Sequence, residues 1–269
     1  MLEKIKATAN YLEKRFKACP ETGIILGTGL GGLVKEIEIV DSVPYEEIPN
    51  FPVSTVDGHA GRLIYGKVGN KKVIAMQGRL HYYEGYTMQQ VTFPVRVMKL
   101  LGTTRLFVSN ASGGLNPEWH VGDIVIINDH INFFPENPLY GKNEKELGPR
   151  FPDMSKIYDE RLRNKAKLIA LEHNIQVREG VYIGVQGPAF ETPAEYKMFR
   201  VLGGDIIGMS TIPEVIAARH MDLKIFGISI ITDSGVPGQI VEISHEEVQK
   251  AAMRAEPYMT LIMKKLIEL

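Results

Sequence analysis

The chain has 269 residues, 44% of them hydrophobic and 23% charged, with a formal net charge of −1. This composition supplies a sizeable buried core and excludes an extended disordered polymer; 31 basic against 32 acidic residues leave no overall field to attract nucleic acid or anionic lipid. A single cysteine, Cys19, can make no internal disulfide and fits a reducing, cytoplasmic setting, the opening MLEKIKATANYLEKRF lacks the apolar centre of a signal peptide, and the longest apolar runs, such as IFGISII at 225–231, are too short to span a bilayer.

The first element expected is an amphipathic helix at 2–17, followed by a short apolar strand at 23–26. Further buried strands are expected at 62–68, 72–76, 106–109, 124–128, 181–185, 205–208 and 225–232. Helical patterns fall between them at 87–101, 159–173, 193–202 and 213–221, and a last helix is expected at 244–266. That helix opens with SHEE, where Ser244 caps and Glu247 closes a capping box. Strands and helices mixed throughout mean an α/β fold, and no Gly/Pro/Ser-rich linker divides it, so residues 1–269 read as a single domain. The longest unpatterned stretch, 132–156, is rich in proline and has the length of a binding loop or an interface.

The stretch ILGTGLGG at 25–32 follows the first strand and carries a G-x-G-x-x-G spacing. A dinucleotide site would need an acidic residue closing a second strand about 20 residues further on. That region reads SVPYEEIPNFPVSTVDGHAG, is interrupted by prolines and does not look like a strand. Two readings stay open: a tight-packing turn, or a compact loop whose backbone N–H groups and Thr28 hydroxyl hold one phosphate. Other segments supply groups suited to an anion. GHAGRL presents His59. MQGRLHYYEGY ends an apolar strand with Arg79, His81, Tyr83 and Glu84, and a guanidinium fork matches phosphate oxygens. In VSNASGGLNP the strand is expected to end at Ser109 and a small-residue turn to follow. Trp119 and His130 read as packing and hydrogen-bonding residues rather than ligands.

Taken in order, GTGLGG, PNFP, GHAGRL, MQGRLHYYEGY, TFPVRV, NASGGLNP, GDIVIINDHIN, RFPDMS, GPAFETPAE, GMSTIPEVIAARH and ISHEEV resemble the trimeric purine nucleoside phosphorylases. Each motif is weak alone; the ordered set covers nearly the whole chain and is specific. The resemblance implies one α/β domain with a central mixed β-sheet flanked by helices, and a homotrimer. It implies reversible phosphorolysis of purine nucleosides, with inorganic phosphate as co-substrate and no metal or organic cofactor. Partners other than nucleoside, phosphate and sister subunits are not implied: neither nucleic acid nor membrane.

Carried over residue by residue, the resemblance assigns phosphate contacts to Thr28, where the family usually has Ser, and to His59, Arg79, the backbone of Ala111 and Ser210. It places His81 near phosphate and the ribose 3′ side, Tyr83 at the 3′-hydroxyl, Met209 under the ribose and His245 at the 5′-hydroxyl. Phe190 stacks on the base, and Glu191 reads N1–H of a 6-oxopurine. Phe151 reaches the neighbouring subunit's site, which accounts for the long loop.

One position departs from the pattern. Where 6-oxopurine-specific members end a late strand with Asn, this chain has Asp233. An ionised Asp only accepts hydrogen bonds and suits a 6-amino group; a protonated one donates and can act as the N7 acid. Methylthioadenosine phosphorylases also carry Asp here and are the same-fold alternative, against which His245 and Glu191 argue. A nucleoside-binding module without catalysis is the alternative from another class.

Overall fold

In a computed structural model of the chain, residues 1–27, 30–55, 60–242 and 244–269 are described. The sequence expectations for Thr28 and His59 lie outside the described residues.

Among the described residues six α-helices form where the 3.6-residue pattern places them: α1 (Leu2–Phe16), α2 (Met88–Leu100), α3 (Glu160–Glu172), α4 (Pro193–Val201), α5 (Ile212–His220) and α6 (His245–Glu268). Their starts follow local chemistry. Thr87, Thr192 and Ser244 each accept a bond from the backbone N–H three residues on, and Gln90, Glu195 and Glu247 close the capping boxes.

Among the described residues nine strands make one mixed sheet: β1 (Thr22–Leu26), β2 (Glu38–Pro44), β3 (Arg62–Val68), β4 (Lys71–Gln77), β5 (Arg105–Gly114), β6 (Ile124–Asn132), β7 (Val177–Gly184), β8 (Ile206–Gly208) and β9 (Lys224–Ser234), in the order β2-β3-β4-β1-β5-β8-β7-β6-β9. β1 is parallel to β4 and β5, and β5 is parallel to β9; β2–β3, β3–β4, β5–β8 and β6–β9 are antiparallel. Because β9 pairs with both β5 and β6, the strands β5, β8, β7, β6 and β9 close on themselves. This closure leaves no free edge in that half of the sheet.

The core lies on both faces. Ile5 and Leu12 of α1, Phe93 and Val97 of α2, and Val215 of α5 cover one face; Leu162 and Ala166 of α3 and Met259, Ile262, Met263 and Leu266 of α6 cover the other. Each of the larger side chains among these contributes about 1.5–3 kcal/mol through removal from water. A smaller cluster beneath α4 joins Tyr196 and Phe199 to Leu115, Ile183 and Ile207.

Two expectations are corrected. β2 was not expected, and residues 42–44 of the proline-interrupted stretch belong to it. Val43 alone of its residues is buried, so it lacks the continuous apolar run of a covered strand, and it pairs antiparallel with β3. It is therefore not the second parallel strand of a dinucleotide fold. Nor does β5 turn at Ser109: it runs on to Gly114, pairing Ala111 with Ile230 and Gly113 with Ile207. Glycines mimic a turn signal here because neighbouring strands approach too closely for a side chain. A Cβ on Gly113 would lie 2.9 Å from Asp233 Oδ2, and one on Gly114 3.0 Å from Ile231 Cγ2.

Candidate active site

Strands β1, β4, β5 and β9 run parallel, so their carboxyl ends share one edge, where open α/β sheets bind ligands. A cavity of about 380 Å3 opens there, between the carboxyl halves of β5 and β9, the end of β8 and the start of α6. Ten residues expected from the sequence line it: Arg79, His81, Tyr83, Ala111, Phe190, Glu191, Met209, Ser210, Asp233 and His245. They arrive from six separate segments of the chain. Phe151 does not line it; its ring is exposed, beside the guanidinium of Arg150.

Arg79 follows β4 and is fully buried. Its Nε and Nη2 donate to the two oxygens of Glu214 on α5 at 2.8 and 3.1 Å, and Nη1 donates to the Ser109 carbonyl at 2.7 Å. Among the described residues these bonds engage three of the five N–H groups of the fork. Glu214 neutralises the cation and locks its plane. Nearby, Asn110 donates to Thr211 Oγ1 at 2.8 Å and accepts from Ser229 Oγ at 2.6 Å, tying β5, β9 and the start of α5 together. Thr211 adopts a left-handed backbone, φ 69°, and its hydroxyl lies 3.1 Å from that of Ser210. A β-branched residue in that conformation carries strain, and such strain concentrates at functional sites.

His81 is held by Glu84. Oε1 of Glu84 accepts from the His81 backbone at 2.7 Å and lies 3.1 Å from Nδ1, while Oε2 accepts from the Thr55 N–H and hydroxyl at 2.7 and 2.6 Å. Burial alone would raise the Glu84 carboxyl, but these hydrogen bonds outweigh it and hold the group down at about 2. Burial lowers the His81 imidazole below its usual value, with Glu84 opposing and Arg79 reinforcing. The neutral ring stacks on Tyr83 at 4.6 Å, and burial pushes the Tyr83 hydroxyl up to about 12. Gly187, at φ 68°, leaves room for the Met209 side chain and the Tyr83 ring.

The third group is acidic. Asp233, at the end of β9, accepts from the Thr232 hydroxyl at 3.0 Å and from Tyr196 Oη at 3.4 Å. The Tyr196 hydroxyl also lies close enough to Glu191 to act on its carboxyl. Burial raises the Asp233 carboxyl; burial, and then the charge of Asp233, raise that of Glu191. Among the described residues neither carboxyl forms an ion pair. Phe190 flanks them at the mouth, partly exposed, and the His245 imidazole faces the same cavity from the first turn of α6.

Reading the residues in sequence assigned no role to Glu214, Asn110 or Tyr196. Glu214 sits on a helix with an all-round apolar pattern, and that setting is the available signal: a carboxylate there requires a buried partner. The two residues expected to be structural are so. His130 Nδ1 lies 3.1 Å from the Tyr158 hydroxyl, and Trp119 packs over Gly180.

This arrangement, with a cation and hydroxyls in one group, an aromatic–histidine pair in the next and two carboxyls in the third, is a polar small-molecule site within an α/β phosphorylase architecture. The chain belongs to the phosphorylase superfamily, whose family model matches residues 21–268. It is 53% identical over 91% of its length to purine nucleoside phosphorylase 1 of Geobacillus stearothermophilus, covering 89% of that protein. Among solved structures, isoform 2 of the purine nucleoside phosphorylase of Schistosoma mansoni, in complex with cytosine and ribose-1-phosphate, superposes with a TM-score of 0.94 at 44% identity, covering 98% of this chain and 95% of that one. A Schistosoma mansoni purine nucleoside phosphorylase in complex with adenosine gives the same TM-score at 43% identity, covering 99% of this chain and 96% of that one.

Proposed function

We propose that the chain is a purine nucleoside phosphorylase: purine nucleoside and inorganic phosphate are converted reversibly to free purine base and (deoxy)ribose 1-phosphate, in purine salvage. The observation that carries the reading is the convergence, on one cavity, of Arg79 and Ser210 with Tyr83, Met209 and His245 and with Phe190, Glu191 and Asp233.

The chemistry needs all three groups. The bond from C1′ to the purine nitrogen breaks through a ribosyl cation with oxocarbenium character. The phosphate, held below the ribose by Arg79, Ser210 and the Ala111 backbone together with Thr28 and His59, supplies negative charge beside C1′ and then an oxygen that forms the new bond. Fixed donors hold it in line without reorganisation during the reaction. His81, held through Nδ1–H by Glu84, presents Nε2 as an acceptor toward the phosphate and the 3′ side. Tyr83, Met209 and His245 hold the sugar. The departing purine leaves with the bonding electron pair and takes a proton or a strong hydrogen bond at N7, supplied by protonated Asp233, while Glu191 grips the N1 edge. No metal or organic cofactor enters this scheme.

His245 in the cavity suits a free 5′-hydroxyl better than a thioether, which sets the methylthioadenosine reading second. The protein acts as a cytoplasmic homotrimer in this proposal, with Phe151 extended into a sister subunit's site; its 88% exposure in the single chain is in keeping with that. The test is phosphate-dependent release of free base from inosine and adenosine, with a no-phosphate control, alongside light scattering for the assembly. Release without phosphate, or none from either nucleoside, would overturn the reading.

A further inference from the structure

Tyr196 is 4% exposed, and its ring is clamped between the core cluster beneath α4 and the Gly235 backbone, where a Cβ would collide with it. Its hydroxyl stands between the carboxyls of Glu191 and Asp233 and contacts both. A phenol has one proton to donate and lone pairs to accept with. Between two carboxyls it forms a continuous chain only if one of them carries a proton: that carboxyl donates to the phenol, and the phenol donates to the other.

We propose that Tyr196 is a positioning residue that relays a single proton between Glu191 and Asp233, so that the same site matches both 6-oxopurines and 6-aminopurines. The inference rests on the phosphorylase reading. With the proton on Asp233, Glu191 is an ionised acceptor for N1–H, and Asp233 donates to O6 or N7, the pattern of a 6-oxopurine. With the proton on Glu191, that group donates to the N1 lone pair, and ionised Asp233 accepts from the 6-amino group. Passing between the two states breaks the O–H bond of one carboxyl as the phenol oxygen takes its proton; the phenol O–H breaks in the same step and its proton goes to the other carboxyl. No proton is gained or lost overall, and Tyr196 ends as a neutral phenol.

The surroundings fit a pair that keeps one proton. The charged groups facing Glu191 are Asp233 and Glu195, both acidic; Asp233 faces Thr232 and Tyr196; and the His245 imidazole borders the same cavity. Both carboxyls are raised, chiefly by burial. Two neighbouring carboxyls in such a setting resist double ionisation.

The experiment compares kcat/KM for inosine and adenosine in the native protein and in Tyr196→Phe, which keeps the ring in place and removes only the hydroxyl. The native protein is expected to release base from both nucleosides, more slowly from adenosine because ionised Asp233 offers its N7 no donor, and the variant to change the ratio of the two by about tenfold or more, with KM for phosphate unaltered. An equal fall for both nucleosides, or no change in the ratio, overturns the relay while leaving the phosphorylase reading intact. Absence of phosphate-dependent release from either nucleoside overturns the phosphorylase reading and the relay with it. A second measurement needs only the native protein: calorimetric binding of hypoxanthine and of adenine in buffers of different ionisation enthalpy. The relay requires that neither base bring net proton uptake; uptake of one proton with either base overturns it.

Discussion

Arg79 lines the cavity with a charge that Glu214 balances from α5. Both side chains of the Arg79–Glu214 pair are shielded from water, so removing one leaves the other as a buried, uncompensated charge. Glu214→Ala is expected to destabilise the fold by about 3–5 kcal/mol. A urea titration that found under about 1 kcal/mol would show that the pair is not what holds α5 to the segment after β4. Protonation acts at the same scale. Burial holds the His130 imidazole down at about 4, against 6.5 ordinarily. The unfolded chain therefore takes up a proton that the folded chain refuses. This stability is fully present above pH 6.5 and is lost as pH falls toward 4. Glu84 adds a second, lower window: its contribution is present above 4.5 and is lost as pH falls toward 2. Urea midpoints measured from pH 8 downward are expected to fall in those two ranges, and His130→Gln to flatten the upper one. His81, Tyr83, Met209, Glu191 and Asp233 were legible in the sequence through motif resemblance. Tyr196 and Glu214 were not, because a residue that acts through another is defined by a partner far along the chain: Glu214 meets Arg79 across 135 positions.

Among the elements, β5 decides most. Its carboxyl half lies between β8 and β9 and forms one wall of the cavity. Gly113→Ala would drive a methyl group to 2.9 Å from Asp233 Oδ2 and 3.3 Å from Ile207 Cγ2. Overpacking of this kind costs about 1–3 kcal/mol. Displacing Asp233 by about 1 Å is expected to lower kcat/KM for purine nucleosides by about 10²-fold. A melting curve and steady-state kinetics check the two effects separately; unchanged kinetics would mean that Asp233 tolerates the shift. Helices were more legible than strands, for a local reason. Capping boxes at Thr87, Thr192 and Ser244 lie wholly within a few residues of sequence, whereas the continuation of β5 past Ser109 depends on which strands come to lie beside it.

At the scale of the whole molecule, closure of β5, β8, β7, β6 and β9 buries the backbone hydrogen bonds of the half that carries the site, while β2 remains an exposed edge. Amide hydrogen exchange is expected to be slowest in β5 and β9 and far faster in β2. Uniform protection across the sheet would argue against the ring as the stable unit. The periodicity, the capping residues and the ordered motifs were enough by themselves to determine an α/β fold, the positions of its helices, and many of the residues that line the cavity. Those features are local, or are shared with relatives, and so survive in one dimension. The tertiary structure alone decided that the sheet closes on itself, that Glu214 balances Arg79, and that one phenol stands between two carboxyls. Each of these is a contact between segments distant in the chain, set by which strand packs beside which, and no local pattern encodes it.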